Sequence, residues 1–178
     1  VTTAPRIHRA TPDEAPEVAR LAELTFALAC PPGTAPTAIE RFIADNLTEV
    51  HFRRYLADEN RQVILATDDG RPVGYTMLVH GEPADDDVAV AISLRPSVEL
   101  SKVYVLQTHH GVGVAGALMD ATLDAAREGG AVGVWLGVNK HNERAIRFYR
   151  KSGFEVVGSK TFLVGPELHH DHVLEREL

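Results

Sequence analysis

The chain has one cysteine, one tryptophan and no apolar run of membrane-spanning length, and its first 98 residues contain no lysine. Each scarcity excludes something. Cys30 alone makes no intramolecular disulfide, so nothing in the sequence asks for an oxidising compartment, and the cytoplasm is the expected address. The longest nearly uncharged stretch, residues 131–139, falls far short of the roughly 20 residues that cross a bilayer. Residues 1–20 carry Arg6, Arg9, Asp13, Glu14 and Glu17 with no apolar segment, unlike a secretory signal. The net charge of −7, from 18 Lys+Arg against 25 Asp+Glu, has the wrong sign for coating nucleic acid or an anionic membrane. With 178 residues and 44% hydrophobic side chains, one domain with a sizeable core is expected over residues 1–178.

What is there alternates between helical and strand signals. Thr11-Pro12-Asp13-Glu14 combines a cap, a first-turn proline and two acids, and the helix it starts should reach Cys30 with Val18, Leu21, Ala22, Thr25 and Phe26 on its core face. Pro31, Pro32, Gly33 and Pro36 break the chain before a second helical region over residues 38–57, interrupted near Asn46-Leu47-Thr48. Residues 62–67 and 72–80 read as a hairpin across Asp68-Asp69-Gly70. Residues 81–96 read as a polar loop, with 88–94 as a candidate extra strand, and 98–106 as a strongly β-branched strand. A helix follows with Ala115, Leu118, Met119, Thr122 and Ala126 on one stripe and Gly129-Gly130 as its stop. Residues 132–138 read as a buried strand and 142–151 as a helix ended by Gly153. Strands at 154–158, 161–164 and 172–177 follow, with a turn at Gly165-Pro166. The fold class is mixed α/β, without internal repeats.

The segment richest in chemistry is the strand ending Lys102-Val103-Tyr104-Val105, followed by His110-Gly111-Val112-Gly113-Val114-Ala115-Gly116. A loop of bare glycines opening into a helix aims several backbone N–H groups at one spot, which suits an anion such as a phosphate. Gly111, Gly113 and Gly116 also satisfy the dinucleotide spacing. That rival expects the glycines directly after the strand and an acid about 20 residues on. Here five residues intervene between Val105 and Gly111, and the downstream Trp135-Leu136-Gly137-Val138-Asn139 has no carboxylate. A third reading has the glycines merely letting a helix pack on the sheet.

These residues resemble the GCN5-related N-acetyltransferase (GNAT) family. The family cradle, Gln/Arg-x-x-Gly-x-Gly/Ala, falls on His110 to Ala115, with His110 replacing the usual Gln or Arg. The strand Glu99-Leu100-Ser101-Lys102-Val103-Tyr104-Val105, Trp135-Leu136-Gly137-Val138, and Asn142 through Ala145, Tyr149 and Gly153-Phe154 are similar to its later motifs. Phe148-Tyr149-Arg150-Lys151 and the segment at residues 158–165 look like the bacterial spermidine/spermine acetyltransferase branch. The resemblance implies a central, mostly antiparallel sheet of six or seven strands, with acetyl-CoA held between a splayed pair at 98–106 and 132–138. It places the pyrophosphate on the amides of Gly111, Val112, Gly113, Val114, Ala115 and Gly116, assisted by His110. It runs the pantetheine arm along Val103, Tyr104 and Val105, and brings Asn142, Tyr149 and Lys151 to the coenzyme. Asn142 is equally an N-cap, and the two roles are compatible. Dimerisation is common in the family, and no feature of the sequence demonstrates it.

Acetyl transfer to an amine needs a base for the amine, a donor to the thioester oxygen and a proton for the departing thiolate. The family position makes Tyr149 the acid; its alternative is a core tyrosine beside Phe148. Glu99 is the base candidate, sharing a strand face with Ser101, Val103 and Val105, and its alternative is a solvated strand end. The backbone N–H of Tyr104 or Val105 is the donor by resemblance. His169-His170-Asp171-His172 offers at most two ligands on one side of a strand, and no metal is expected. Asp85-Asp86-Asp87 is either a solvated loop or an anionic rim for a cationic amine, and the acceptor is expected around Phe26, Phe42 and Phe52.

Charge is divided along the chain in a matching way. Residues 1–98 hold 9 Arg against 15 acids, net −6; residues 99–151 hold 7 basic against 5 acidic residues, net +2; residues 152–178 hold 2 against 5, net −3. The net-positive stretch is the coenzyme segment, and the acidic remainder suits a cation. The activity that the resemblance implies is direct acetyl transfer to a small, polyamine-like primary amine, and this division of charge agrees with it. Another amine acceptor, such as an aminoglycoside-like compound, an amino acid or a peptide N-terminus, or a non-catalytic acyl-CoA-binding module, stands as the alternative.

Overall fold

Asp69 and Gly70 adopt φ of 47° and 74°, the two positive angles of a tight type I′ connection. The strands they join, β2 (Arg61–Asp68) and β3 (Arg71–His80), are buried along most of their length. This computed structural model describes residues 4–30, 32–164 and 167–178. Its other strands are β1 (Arg6–Arg9), β4 (Ser97–Val105), β5 (Gly133–Asn139), β6 (Glu155–Val164) and β7 (Glu167–Glu177). The helices are α1 (Ala15–Ala29), α2 (Pro36–Asn46), α3 (Glu49–Ala57), α4 (Asp86–Ala91), α5 (Val114–Glu128) and α6 (Glu143–Lys151). The strand order is β1-β2-β3-β4-β5-β7-β6. β1 on β2, β5 on β7 and β6 on β7 are antiparallel, whereas β4 on β5 is parallel. Among the described residues no helix is long and apolar enough to cross a membrane.

The chain forms two compact units, neither continuous in sequence: Val1–Met77 with Lys102–Thr122, and Leu78–Ser101 with Leu123–Leu178. In the first, α1 buries Val18, Leu21, Ala22 and Thr25, the stripe its spacing predicts except that Phe26 stays half-buried. Thr25 lies in that apolar face because its hydroxyl donates to the Leu21 carbonyl one turn back, at 2.8 Å. Leu47, Phe52, Leu65, Tyr75, Met77, Leu118 and Met119 are enclosed in the same unit. In the second, Trp135 and Val173 pack against Val88 and Ile92. Glu175 there accepts from the Ser93 and Leu94 amides at 3.0 and 2.9 Å, satisfying a turn that has no ladder partner.

Four departures from the sequence reading have local causes. Residues 12–14 form a 3-10 turn, so α1 begins at Ala15; the Glu14 carboxylate accepts from the Thr11 amide at 2.8 Å. β1 is a four-residue strand where none is expected, too short for its alternation to register. The stretch read as a loop with a candidate strand at 88–94 holds α4, because Asp85 accepts from the Asp87 amide at 2.9 Å and two acids follow in the first turn. β6 is one strand, with a register irregularity between Val156 and Gly158, rather than two. By contrast, the break expected near residue 47 is present, and Thr48 caps α3. The turn expected at Gly165-Pro166 lies outside the described residues.

One glycine fixes how closely α5 lies on the sheet of the first unit. A Cβ on Gly74 would stand 2.9 Å from Leu118 Cδ1, 3.0 Å from Val105 Cγ2 and 3.1 Å from the Tyr104 carbonyl oxygen. Two of these neighbours belong to β4 and the third is a fully buried side chain, so none yields easily. Gly74→Ala is expected to cost about 1–3 kcal/mol in denaturant unfolding. A change within about 0.5 kcal/mol would show that α5 shifts freely.

Candidate active site

In the first unit, β4 ends at Val105 and the Leu106 amide donates to Val73 O at 2.8 Å, which keeps the strand end on the sheet. Residues 107–109 make a 3-10 turn, and His109 Nε2 pairs with Asp68 at 3.2 Å, tying the turn to the hairpin. His110 Nε2 donates to the Val105 carbonyl at 2.8 Å and so clasps the two ends of the loop together. The residue that departs from the family's Gln or Arg thus has a scaffold role that sequence does not reveal.

Beyond His110 the chain rises through Gly111 and Gly113, with φ of 80° and 91°, into the first turn of α5. The first helical bond of that turn runs from the Ala117 amide to Gly113 O, so the amides of Val114, Ala115 and Gly116 precede the ladder. Positions 111, 112, 113 and 116 are exposed, and a Cβ on Gly111, Gly113 or Gly116 would meet nothing within 4 Å. None of the three glycines is required by a helix packed against it, and at Gly111 and Gly113 the positive φ is one that glycine adopts without strain. An extended anion such as a pyrophosphate fits the exposed amides and the positive end of the α5 dipole.

The same unit contains an aromatic cluster that sequence reasoning missed. Tyr75 stacks on Tyr104 at 5.7 Å and meets Phe52 edge-on at 5.8 Å, and Phe52 meets Tyr55 edge-on at 5.5 Å. Phe26 and Phe42 stack at 4.3 Å, and Phe42 is 41% exposed, so those two can face a ligand. Phe52, fully buried, belongs to the core rather than to a pocket wall. The only prior signal for the cluster was the alternation that sends Lys102 and Tyr104 to the face opposite Val103 and Val105.

Burial pushes the Tyr104 phenol up to about 12, with a smaller contribution from Cys30, and pushes Tyr75 well above its ordinary value. An unfolded tyrosine ionises near pH ~10. Between the two values the unfolded chain has released a proton that the folded chain retains. Stability is therefore complete below about pH 10 and declines as the pH rises towards about 12. Thermal melts across that window are expected to fall steadily, and less steeply in Tyr104→Phe. An identical slope in the variant would show that Tyr104 does not contribute.

The second unit carries the remaining candidates. Tyr149 lies half-buried in α6, edge-on to Phe148 at 5.5 Å and to Phe154 at 5.9 Å. Asn142 caps α6, its side chain accepting from the Ala145 amide at 3.1 Å, and remains exposed. Lys151, at the last turn of α6 beside Arg150, is exposed. Glu99 is half-buried on β4 opposite Trp135, between the enclosed Val98 and Leu100. The parallel register of β4 on β5 runs from Ser97↔Gly133 to Glu99↔Trp135, and β5 continues for four residues beyond it. Among the described residues no three His, Cys, Asp or Glu side chains are grouped as a metal site.

A family model described as the acetyltransferase (GNAT) family matches residues 26–154, a span that includes the cradle, Glu99, Asn142 and Tyr149. The chain belongs to the GNAT family of acetyltransferases. An uncharacterised N-acetyltransferase of Mycobacterium tuberculosis is similar to it at 46% identity over 165 residues, covering 93% of this chain and 98% of that protein. The PaiA N-acetyltransferase of Thermoplasma acidophilum, solved in complex with coenzyme A, shares the fold with a TM-score of 0.78 at 14% identity, over 99% of this chain and 100% of that one. The ribosomal-protein-alanine N-acetyltransferase of Brucella melitensis does so with 0.71 at 21% identity, over 97% and 99%. This GNAT acetyltransferase accordingly has the family's mixed, mostly antiparallel seven-stranded sheet with flanking helices.

Proposed function

We propose that this GNAT acetyltransferase moves the acetyl group of acetyl-CoA directly to the primary amine of a small molecule, both substrates being bound together. The observation that carries the reading is the cradle, in which three glycine positions face open space beside uncommitted first-turn amides. The residues fit the donor: amides 111–116 for its pyrophosphate, the edge of Val103 to Val105 for its amide-bearing arm, and Asn142 and Lys151 for flanking contacts. Support for the arm's place comes from the β4–β5 register, which ends at Glu99↔Trp135.

The amine nitrogen attacks the thioester carbonyl carbon and the carbon–sulfur bond breaks. Glu99, directly or through water, takes the proton the amine gives up. The Tyr104 or Val105 amide donates to the oxygen as it gains charge, and the Tyr149 phenol protonates the leaving sulfur. A free, single Cys30 suits a reducing compartment, and the cytoplasm is the address we assign.

The polyamine-like acceptor rests on the resemblance and on the acidic surplus of residues 1–98. Asp85 is already engaged in capping α4, which weakens the anionic-rim role for Asp85-Asp86-Asp87. Purified protein given acetyl-CoA and a panel of polyamines, amino acids and aminoglycosides, with free thiol monitored, tests the proposal. Amine-dependent thiol release is expected. Coenzyme binding without turnover on any amine would make this a binding module, and no coenzyme binding would overturn the assignment.

A further inference from the structure

α2 encloses none of its 11 residues, although Ile39, Phe42 and Ile43 fall on one stripe of it. That stripe meets α1 through the stack of Phe42 on Phe26, whose rings lie 12° from parallel, while Ile39 and Ile43 stay half-buried. One turn beyond Phe26 comes Cys30, whose amide donates to the Phe26 carbonyl at 3.2 Å, so the two side chains lie on the same side of α1. Cys30 in turn stands close enough to the Tyr104 phenol to add to the rise in its pKa. Tyr104 belongs to the half of β4 that the fold leaves open. Residues 101–105 are all half-buried, whereas Ser97, Val98 and Leu100 are enclosed. The Tyr104 ring is backed by the fully enclosed Tyr75, which stacks on it, and Phe52 backs Tyr75 in turn.

A continuous strip thus runs within the first unit from Tyr104 through Cys30 and Phe26 to Phe42. It carries no ion at neutral pH, because burial pushes both the Cys30 thiol and the Tyr104 phenol up and keeps them protonated. Glu23 lies a turn beyond Phe26 on the side away from Cys30, and it is exposed.

We infer that this strip binds the body of the acceptor, and that the acceptor is an amine carrying an aromatic ring, selected by Tyr104 and the Phe26–Phe42 pair. The inference rests on the proposed acetylation, in which the amide of Tyr104 or of its neighbour Val105 receives the thioester oxygen. An amine that attacks the carbonyl carbon held there has its own body beside the Tyr104 side chain, at the inner end of the strip. A ring in that place is covered by Tyr104 within and by Phe26 and Phe42 farther out. A diamine lays its second ammonium on the same uncharged surface and gives up hydration without gaining a carboxylate. Attraction between an ammonium and a phenyl face recovers only part of that loss. Phe26 and Phe42 already cover one face of each other, which leaves no aromatic cage.

The test compares 2-phenylethylamine with butylamine, which has one charge and no ring, and with putrescine, which has two charges. At saturating acetyl-CoA, kcat/KM for 2-phenylethylamine is expected to exceed that for putrescine at least tenfold and that for butylamine about fivefold. Phe42 is exposed enough to be replaced without loss of the fold. Phe42→Ala should raise KM for 2-phenylethylamine about tenfold, keep kcat within about twofold, and move KM for butylamine far less. Phe42→Tyr, which keeps a ring, should restore the preference. Saturation-transfer NMR on the full chain with coenzyme A added should show the ring protons of 2-phenylethylamine in contact with the wild type and not with Phe42→Ala.

Ring contact with no acetylation of any amine would leave the aromatic site standing and remove the proposed transfer. Acetylation of putrescine as efficient as that of 2-phenylethylamine would remove the aromatic site and leave the transfer. An equal loss on all three amines in Phe42→Ala would make Phe42 a structural residue and overturn its part in selection. Displacement of 2-phenylethylamine by coenzyme A would assign the strip to the donor and overturn the acceptor assignment.

Discussion

Tyr149→Phe lowers the maximal rate of acetyl transfer about 100- to 1,000-fold and leaves coenzyme affinity within about twofold. The asymmetry follows from what the substitution removes. The ring keeps its edge-on contacts with Phe148 and Phe154, so the aromatic packing of α6 on the start of β6 is retained. Only the hydroxyl is lost, and in the proposed mechanism it acts when the carbon–sulfur bond breaks rather than when the donor binds. A thiolate left to depart unprotonated is the poorer leaving group, and the deficit falls on kcat. An unchanged rate would remove Tyr149 from the mechanism and return it to the hydrophobic packing it shares with Phe154.

The cradle yields the second large effect, through a pair of substitutions that pull in opposite directions. Gly113→Ala places a side chain at φ of 91°, where L-residues are strained by roughly 1–2 kcal/mol, so the loop is expected to rearrange. The dissociation constant for coenzyme A should rise about 10- to 100-fold. Gly116→Ala is different, because position 116 is within α5 and its backbone is ordinary for a helix. Replacing a helical glycine stabilises by about 1 kcal/mol. Yet its new methyl would project into the same open space and obstruct the pyrophosphate. A variant that melts higher and binds coenzyme several-fold more weakly is the expected outcome, measured by calorimetry on one preparation. If Gly116→Ala melts higher and binds as well as wild type, the donor does not occupy the space in front of α5.

Legibility from sequence tracked how local the cause of each feature was. The β2–β3 hairpin, the break at residue 47, α5 and α6 were readable because turn chemistry, capping residues and helical spacing are written in adjacent positions. So was the cradle, whose glycines and following helix are contiguous. α4 was not, because Val88 and Val90 carry strand propensity while the capping of the turn by Asp85 decides the matter. The scaffold role of His110 depends on reaching a carbonyl five residues back, and the enclosure of Phe52 depends on α3 meeting Tyr75 of β3. Most opaque was the grouping of Lys160 and Asp171 about Gly137 of β5. Lys160 and Asp171 are joined only by the register of β6 on β7, and nothing in either segment announces the other.

The division of the chain into two discontinuous units sets a timetable for its synthesis. The chain passes from one unit to the other between Met77 and Leu78, between Ser101 and Lys102, and between Thr122 and Leu123. On the ribosome the first unit lacks α5's Leu118, the residue that faces Gly74, until 38 residues after β3 ends at His80. Residues of the second unit made early, including Val88 and Ile92, wait for Trp135 and then for Val173 before their cluster can close. At roughly 5–20 residues per second that wait lasts several seconds. During it, apolar stretches of β3 and β4 emerge without their eventual neighbours. Translation speed across the last third of the message, and access to a holdase chaperone, should therefore govern how much soluble protein a cell obtains.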